Sequence, residues 1–234
     1  MNTDERFPDG LPSGTEKVKA VQAMFDAIAP RYDLLNRILT FGMDVGWRRR
    51  TVRGLALPGG ALVLDLACGT GDFCRELQAG GLKAVGVDNS AGMLAAAKTS
   101  APLVLADAMF LPVPAGAVDG ITCGFALRNV ADLAAFFAEC ARVIRPGGRV
   151  GLLEVAEPRF KPAKVVHGLY FRKVVPVIGG LLSDRAAYRY LPASTAYLPE
   201  PDEMMAMLRA AGFPDAQRKL VGMGAAQLIV GTRE

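Results

Sequence analysis

The sequence predicts a doubly wound α/β fold built on a mostly parallel sheet of seven strands. Three observations predict it. Short apolar runs alternate with helical stretches between residues 61 and 154. A glycine-rich turn, Cys68-Gly69-Thr70-Gly71, follows the first run. Acids stand inside or just after the first three runs, at Asp65, Asp88 and Asp107. Apolar runs of this length, separated by helices, are how a sheet covered on both faces reads in sequence.

The elements follow in order. Residues 1–16 are polar, contain Pro and Gly and lack the apolar core of a signal peptide, so a flexible tail is expected. Residues 17–234 are expected to form a single domain, beginning with a helical cap over 17–57. Val18, Val21, Phe25 and Ile28 recur at helical spacing up to a break at Pro30. A second helix is expected over Asp33–Thr40, and a third from about Asp44 through Trp47 and Arg48–Arg50. Strands are expected at Ala61–Leu66, Ala84–Val87, Leu103–Leu105, Val118–Cys123 and Arg149–Glu154. The intervening helices are Asp72–Ala79, Ser90–Lys98 and Leu133–Ile144, and Arg145–Gly148 reads as a turn. Residues 158–200, rich in Pro, aromatics and basic residues, read as a lid segment. A helix over Pro201–Ala211 starts at Pro201-Asp202 and stops at Gly212. Gln217–Val221 and Ala225–Gly231 read as a closing pair of strands.

Composition narrows the function classes. A formal charge of +4 and a pI near 9.0 fit an anionic surface, but such an excess is weak grounds for a nucleic-acid partner, and none is expected. The most apolar stretch, Val165–Leu182, is interrupted by His167, Arg172 and Lys173, so no membrane span is expected. Cys68, Cys74, Cys123 and Cys140 lack metal-ligand spacing and are expected to be reduced and mostly buried, with no metal bound.

In an open α/β sheet, ligands bind beyond the carboxyl ends of the strands. Gly69 and Gly71 let backbone approach a ligand, and the helix that follows offers free N–H groups. Asp88 is placed to accept from two ribose hydroxyls, and Asp107-Ala108 to meet an adenine amino group. Asp65 needs a positive partner if it is partly buried, and a methionine ammonium would supply one. Ala67 stands where dinucleotide enzymes carry their first glycine, and the GxGxxG spacing is absent. These features point to a class I, Rossmann-like fold that binds S-adenosylmethionine (SAM).

With these residues placed, the chain resembles the C-methyltransferases of menaquinone and ubiquinone biosynthesis, the demethylmenaquinone methyltransferase family, over roughly residues 20–232. Met24–Trp47 (MFDAIAPRYDLLNRILTFGMDVGW) resembles the family's first signature, with its Tyr-Asp-x-x-Asn and later Trp. RVIRPGGRVGLLEVAEP (142–158) resembles the second. DNSAGML (88–94), ADAMFLP (106–112), FALRNV (125–130) and AYRYLPAS (187–194) follow in family order. Departures stand at Asp44, where His is frequent, at Val155-Ala156 after Glu154, where Glu-x-Ser is frequent, and at Gly124, where a Ser can assist. By resemblance, Thr70, Asp88, Asp107 and Ala108 contact SAM. The full candidate cofactor set is Asp65, Ala67, Gly69, Thr70, Gly71, Asp88, Asn89, Met93, Asp107, Ala108 and Gly124.

The resemblance implies ring methylation of a prenylated quinol: demethylmenaquinol first, with a ubiquinone-pathway benzoquinol as a second acceptor. A ring carbon becomes nucleophilic when the adjacent hydroxyl ionises, so the reduced quinol is the expected substrate. The catalytic candidates are Arg128 and Asn129 after the fourth strand, and Tyr32 and Asp33 on the cap. Arg128 is read either as a cation that stabilises a phenolate or as one half of a salt bridge with an acid such as Asp132. Tyr32 and Asp33 are read as groups that polarise or receive a proton, with a packed aromatic as the other reading of Tyr32. His167 is read as a lid residue rather than a base. The apolar residues of 169–182 read either as a prenyl channel or as packing on the sheet. A cytoplasmic enzyme, with peripheral contact at the inner face of the membrane and a homodimeric state, completes the expectation. Two alternatives stay open: a SAM methyltransferase of secondary metabolism, and a SAM-binding scaffold of a quinone-synthesis complex.

Overall fold

The computed structural model describes residues 14–158, 160, 168–170, 190 and 194–234. Seven strands form one sheet: β1 (Leu62–Leu66), β2 (Lys83–Asp88), β3 (Leu103–Leu105), β4 (Val118–Gly124), β5 (Ile144–Val155), β6 (Gln217–Val221) and β7 (Ala226–Thr232). Their order is β3-β2-β1-β4-β5-β7-β6. The first five are parallel, and β7 inserts antiparallel between β5 and β6. The order reverses between β1 and β4, which opens a crevice at their carboxyl ends.

Seven α-helices accompany the sheet among the described residues: α1 (Gly14–Ile28), α2 (Tyr32–Leu39), α3 (Met43–Leu55), α4 (Asp72–Ala79), α5 (Ala91–Ala95), α6 (Leu133–Val143) and α7 (Pro201–Ala210). Strand side chains alternate between faces, and that alternation builds two cores. On one face, Leu64, Leu66, Ile121, Val150 and Leu152 meet Phe136 and Phe137 of α6 and Leu208 of α7. On the other, Val63 and Leu153 meet Trp47, Val52 and Leu55 of α3 and Leu77 of α4. A separate small cluster of Val21, Met24, Ile28, Leu35 and Tyr190 seats α1 and α2.

Several boundaries differ from the sequence expectation. The first described helix starts at Gly14, so residues 14–16 are helical rather than tail; residues 1–13 lie outside the described set. The helix expected over Ser90–Lys98 is only Ala91–Ala95, because Ser90 is its N-cap and the chain is needed to re-enter the sheet at β3. Arg145–Gly148 is not a free turn. It lies within β5, where the pairing jumps from Val118↔Ile144 to Gly120↔Arg149 and the extra residues bulge out. Most of the expected lid, 158–200, falls outside the described residues, including His167 and all of 171–182. All four cysteines are buried free thiols.

The cap is tied to α4 by charge. Asp44 of α3, fully buried, accepts from Arg37 of α2 and Arg48 of α3. Both arginines also reach Asp72 at the start of α4, at 2.9 and 3.2 Å, and Arg75 joins the same carboxylate. Two buried acids shared by two arginines neutralise each other, which a lone buried charge could not do. Asp44 therefore joins α2 to α3, and Asp72 extends the network to α4.

Candidate functional site

A cleft open to solvent lies over the carboxyl ends of β1, β2, β3 and β4. Its floor is formed by Ala67 and Gly69 after β1, Asp88 and Asn89 after β2, Ala106–Met109 after β3, and Gly124–Ala126 after β4. Val18, Val21 and Phe25 of α1 form the roof, with Tyr32 of α2, Met93 of α5 and Asn129–Ala131 at the sides. Ala67 and Phe125, which follow β1 and β4, carry positive φ values of 50° and 58°. A non-glycine residue in that region costs about 1–3 kcal/mol, and such strain is typical of a ligand site.

Asp88 is the best-defined acid of the cleft. It is 8 % exposed, and its two oxygens accept from the Gly69 N–H at 2.7 Å and the Ser90 N–H at 2.8 Å. Each oxygen keeps a lone pair for a further donor, which suits a vicinal diol. Burial pushes its carboxyl above the ordinary value, against the backbone donors that favour the charged form. Asp107, on the next strand end, accepts from the Met109 N–H at 2.9 Å and stays exposed. With Met93, Phe25 and Met109 as apolar walls, the two acceptors fit the diol and amino group of a ribonucleoside.

Other sequence candidates stand elsewhere. Asp65 alternates with Leu64 and Leu66, so it points to the α4 face and not into the cleft. It is 1 % exposed and accepts from Thr122 Oγ1 at 2.9 Å and Cys74 Sγ at 3.6 Å, so its hydrogen-bond partners within the protein are neutral. Burial raises its pKa to about 7. Thr70 is buried, and its hydroxyl donates to Asp33 of α2. Asp33 also faces Lys98 at 3.5 Å. These two residues lock the cap onto the glycine-rich loop and leave Asp33 outside the cleft. Gly71 opens α4 at φ +85°, and a Cβ there would stand 2.6 Å from Thr99 Cγ2. At Gly124 a Cβ would stand 2.5 Å from the Phe73 ring, so packing requires the glycine in place of a serine.

Arg128 is buried, and its partner is Glu154 at the end of β5 rather than Asp132. The Arg128 N–H also donates toward Glu154 Oε2 at 3.3 Å, while Asp132 caps α6 through Ala135 N–H. Asn129 lines the cleft, and its Oδ1 accepts from the Tyr190 hydroxyl at 3.2 Å. That bond leaves the Asn129 amide N–H groups as its donors. Tyr32 packs edge-on against Phe25, with ring centroids 5.9 Å apart. Burial raises its pKa, so at neutral pH its phenol is a donor and does not take up a proton. Beside it the Asn36 Nδ2 is buried without a hydrogen-bond partner among the described residues. Val18, Val21 and Phe25 are cleft residues that the sequence does not announce, because their spacing marks only a helix with one apolar face.

Comparison with known proteins gives consistent matches. A model of the ubiE/COQ5 methyltransferase family matches residues 13–233. A demethylmenaquinone methyltransferase of Roseiflexus castenholzii is 44 % identical over 232 residues, covering 95 % of this chain and 97 % of that one. A ubiquinone/menaquinone biosynthesis C-methyltransferase UbiE of Geobacter sulfurreducens is 38 % identical over 231 residues, covering 94 % of this chain and 90 % of that one. Among solved structures, a SAM-dependent methyltransferase of Thermotoga maritima superposes with a TM-score of 0.62 at 20 % identity, over 91 % of this chain and 99 % of that one.

Proposed function

Because the chain belongs to the ubiE/COQ5 methyltransferase family, and is thus a SAM-dependent methyltransferase, we propose that it methylates the ring carbon of a prenylated quinol. Demethylmenaquinol is the first acceptor, and the ubiquinone-pathway benzoquinol the second. One observation from the geometry carries the reading: two neutral donors, the Tyr32 phenol and the Asn129 amide, border the same cleft as Asp88.

SAM, when bound, supplies a methyl group already activated on a sulfonium. The residues that would hold it are Asp88 for the ribose, Asp107 and Ala108 for the adenine, and Gly69 with Ala67 beneath the amino-acid tail. Asn89, Met93 and Gly124 complete the pocket, while Thr70, Gly71 and Asp65 support the loop from behind. The protein's part in the chemistry is to raise electron density on the acceptor ring. A quinol hydroxyl that donates its proton to water becomes a phenolate, and hydrogen bonds from Tyr32 and Asn129 stabilise the oxygen. Arg128 acts at a distance, since its charge is already compensated by Glu154. The apolar cleft walls align the ring and exclude competing nucleophiles. No helix among the described residues is long and apolar enough to cross a membrane. A prenyl tail would instead be met at a membrane surface, where exposed Leu34, Phe41 and Leu169 suit peripheral contact.

The test is single-turnover methyl transfer to a short-chain demethylmenaquinol kept reduced. The wild type transfers the methyl group. Tyr32→Phe and Asn129→Ala each slow transfer about tenfold or more, as expected when a donor to developing charge is lost. Affinity for S-adenosylhomocysteine stays within about twofold, since neither side chain is assigned to that product. Full rates in both variants would remove the two-donor reading.

A further inference from the structure

Helix α1 does more than roof the cleft. Its apolar stripe of Val18, Val21 and Phe25 faces inward, and its polar groups are fastened to both rims. At one rim, beyond β4, Lys17 Nζ donates to the Val130 carbonyl at 3.1 Å and lies 3.7 Å over the Tyr197 ring. Lys17 is 4 % exposed, and burial pulls its pKa to about 8, so the cation that holds this contact persists at neutral pH. At the other rim, beyond β2, Gln22 Nε2 donates to the Asn89 carbonyl at 2.6 Å. Asp26 Oδ1 accepts from Ser90 Oγ at 2.5 Å and from the Gly92 N–H at 2.9 Å. Val130 and Asn89 both line the cleft, so α1 crosses it from wall to wall.

The helix also lacks a share in either main core. Its buried residues Val21, Met24 and Ile28 belong to the small separate cluster with Leu35 and Tyr190. A helix held by one small cluster and a few polar contacts can open without disturbing the sheet. We propose that α1 is a latched strap over the cofactor cleft, that Lys17, Gln22 and Asp26 are its positioning residues, and that release of S-adenosylhomocysteine waits for these latches to open. The inference rests on the SAM-binding reading of the cleft and adds residues that touch neither cofactor nor acceptor. Each latch holds a wall of the site in place: Lys17 the Val130 segment, and Gln22 with Asp26 the Asn89–Gly92 turn that follows the ribose acid.

The test measures binding kinetics of S-adenosylhomocysteine to the full chain by stopped flow, with hydrogen exchange of residues 14–28 as a second readout. In the wild type the product protects the α1 amides. In Lys17→Met/Asp26→Ala, which removes the Lys17 donor and the Asp26 acceptor of two hydrogen bonds, release accelerates about tenfold or more. Protection of α1 by the product is lost, and KM for SAM rises without a fall in kcat. Lys17→Arg, which keeps the cation, restores slow release. Should the double variant not fold, Gln22→Ala, at a half-exposed position, gives a smaller change in the same direction. Release and α1 exchange unchanged in folded variants would overturn the strap. A wild type that does not bind S-adenosylhomocysteine would instead overturn the SAM-binding reading on which the strap rests.

Discussion

At Asp65 a single side chain shows how strand alternation decides a role. Position 65 follows Leu64 and precedes Leu66, both in the α6 core, so its carboxylate must face α4. There it meets Thr122 and Cys74 in a dry setting, and its pKa rises to about 7 from an unfolded value near 3.8. Between these two values the folded chain binds a proton that the unfolded chain has released. Stability contributed by this group is therefore full at acid pH, falls as pH rises from about 4 to about 7, and is flat above. Asp65→Asn removes that dependence. Urea midpoints followed through Trp47, the only tryptophan, should show the variant gaining on the wild type between pH 5 and pH 8. Parallel pH profiles of the two proteins would show that Asp65 does not titrate in this range. The carboxylate was legible as an acid near the cofactor turn. Its direction was also legible, in the alternation of its neighbours, and within the protein it meets two neutral donors with the charge of Arg48 acting on it. Arg128 illustrates the opposite case. Its partner Glu154 lies 26 residues away on another strand, and nothing local in the chain announces the pair.

At the scale of elements, the cap is held by the arginines and acids that join α2, α3 and α4. Arg48 is 5 % exposed and serves both Asp44 and Asp72. Arg48→Met should cost about 3–5 kcal/mol, because it leaves a buried carboxylate short of its partner. Arg49, on the solvent side of the same helix, pairs with Glu76 at 3.2 Å while 55 % exposed. Arg49→Ala should change stability by no more than about 1 kcal/mol. Chemical denaturation of the two variants checks the contrast, and equal losses would contradict this account of the cap. Strands were legible because buried parallel strands are continuous apolar runs, as at LVLDL in β1. Helix α5 is shorter than its sequence suggests. Leu94 and Ala95–Ala97 are strong helix formers, yet tertiary structure ends the helix at Ala95 in favour of the short return to β3. The bulge in β5 reads as a turn in sequence, because Pro146-Gly147-Gly148 is turn chemistry wherever it stands. The basic run Arg48–Arg50 reads as a stretch of helix, and only the packing separates its buried Arg48 from its exposed Arg49 and Arg50.

For the whole molecule, the sheet order places four strand ends around one cleft, and helices packed outside the sheet cores close it. Ten of the residues singled out in sequence line that cleft: Tyr32, Ala67, Gly69, Asp88, Asn89, Met93, Asp107, Ala108, Gly124 and Asn129. Those that do not, Asp33, Asp65, Thr70, Gly71 and Arg128, are tied into the structure that supports it. These parts together serve the proposed transfer of a methyl group from SAM to the ring of a reduced prenylated quinol. The most direct measurement supplies labelled SAM to demethylmenaquinol and to a demethylated benzoquinol, each reduced and each oxidised, and follows label into ring carbon. Label is expected in the reduced naphthoquinol, with the oxidised lanes empty because a quinone ring lacks the phenolate that makes carbon nucleophilic. Equal labelling of quinol and quinone, or no label in any lane while S-adenosylhomocysteine still binds, would contradict it.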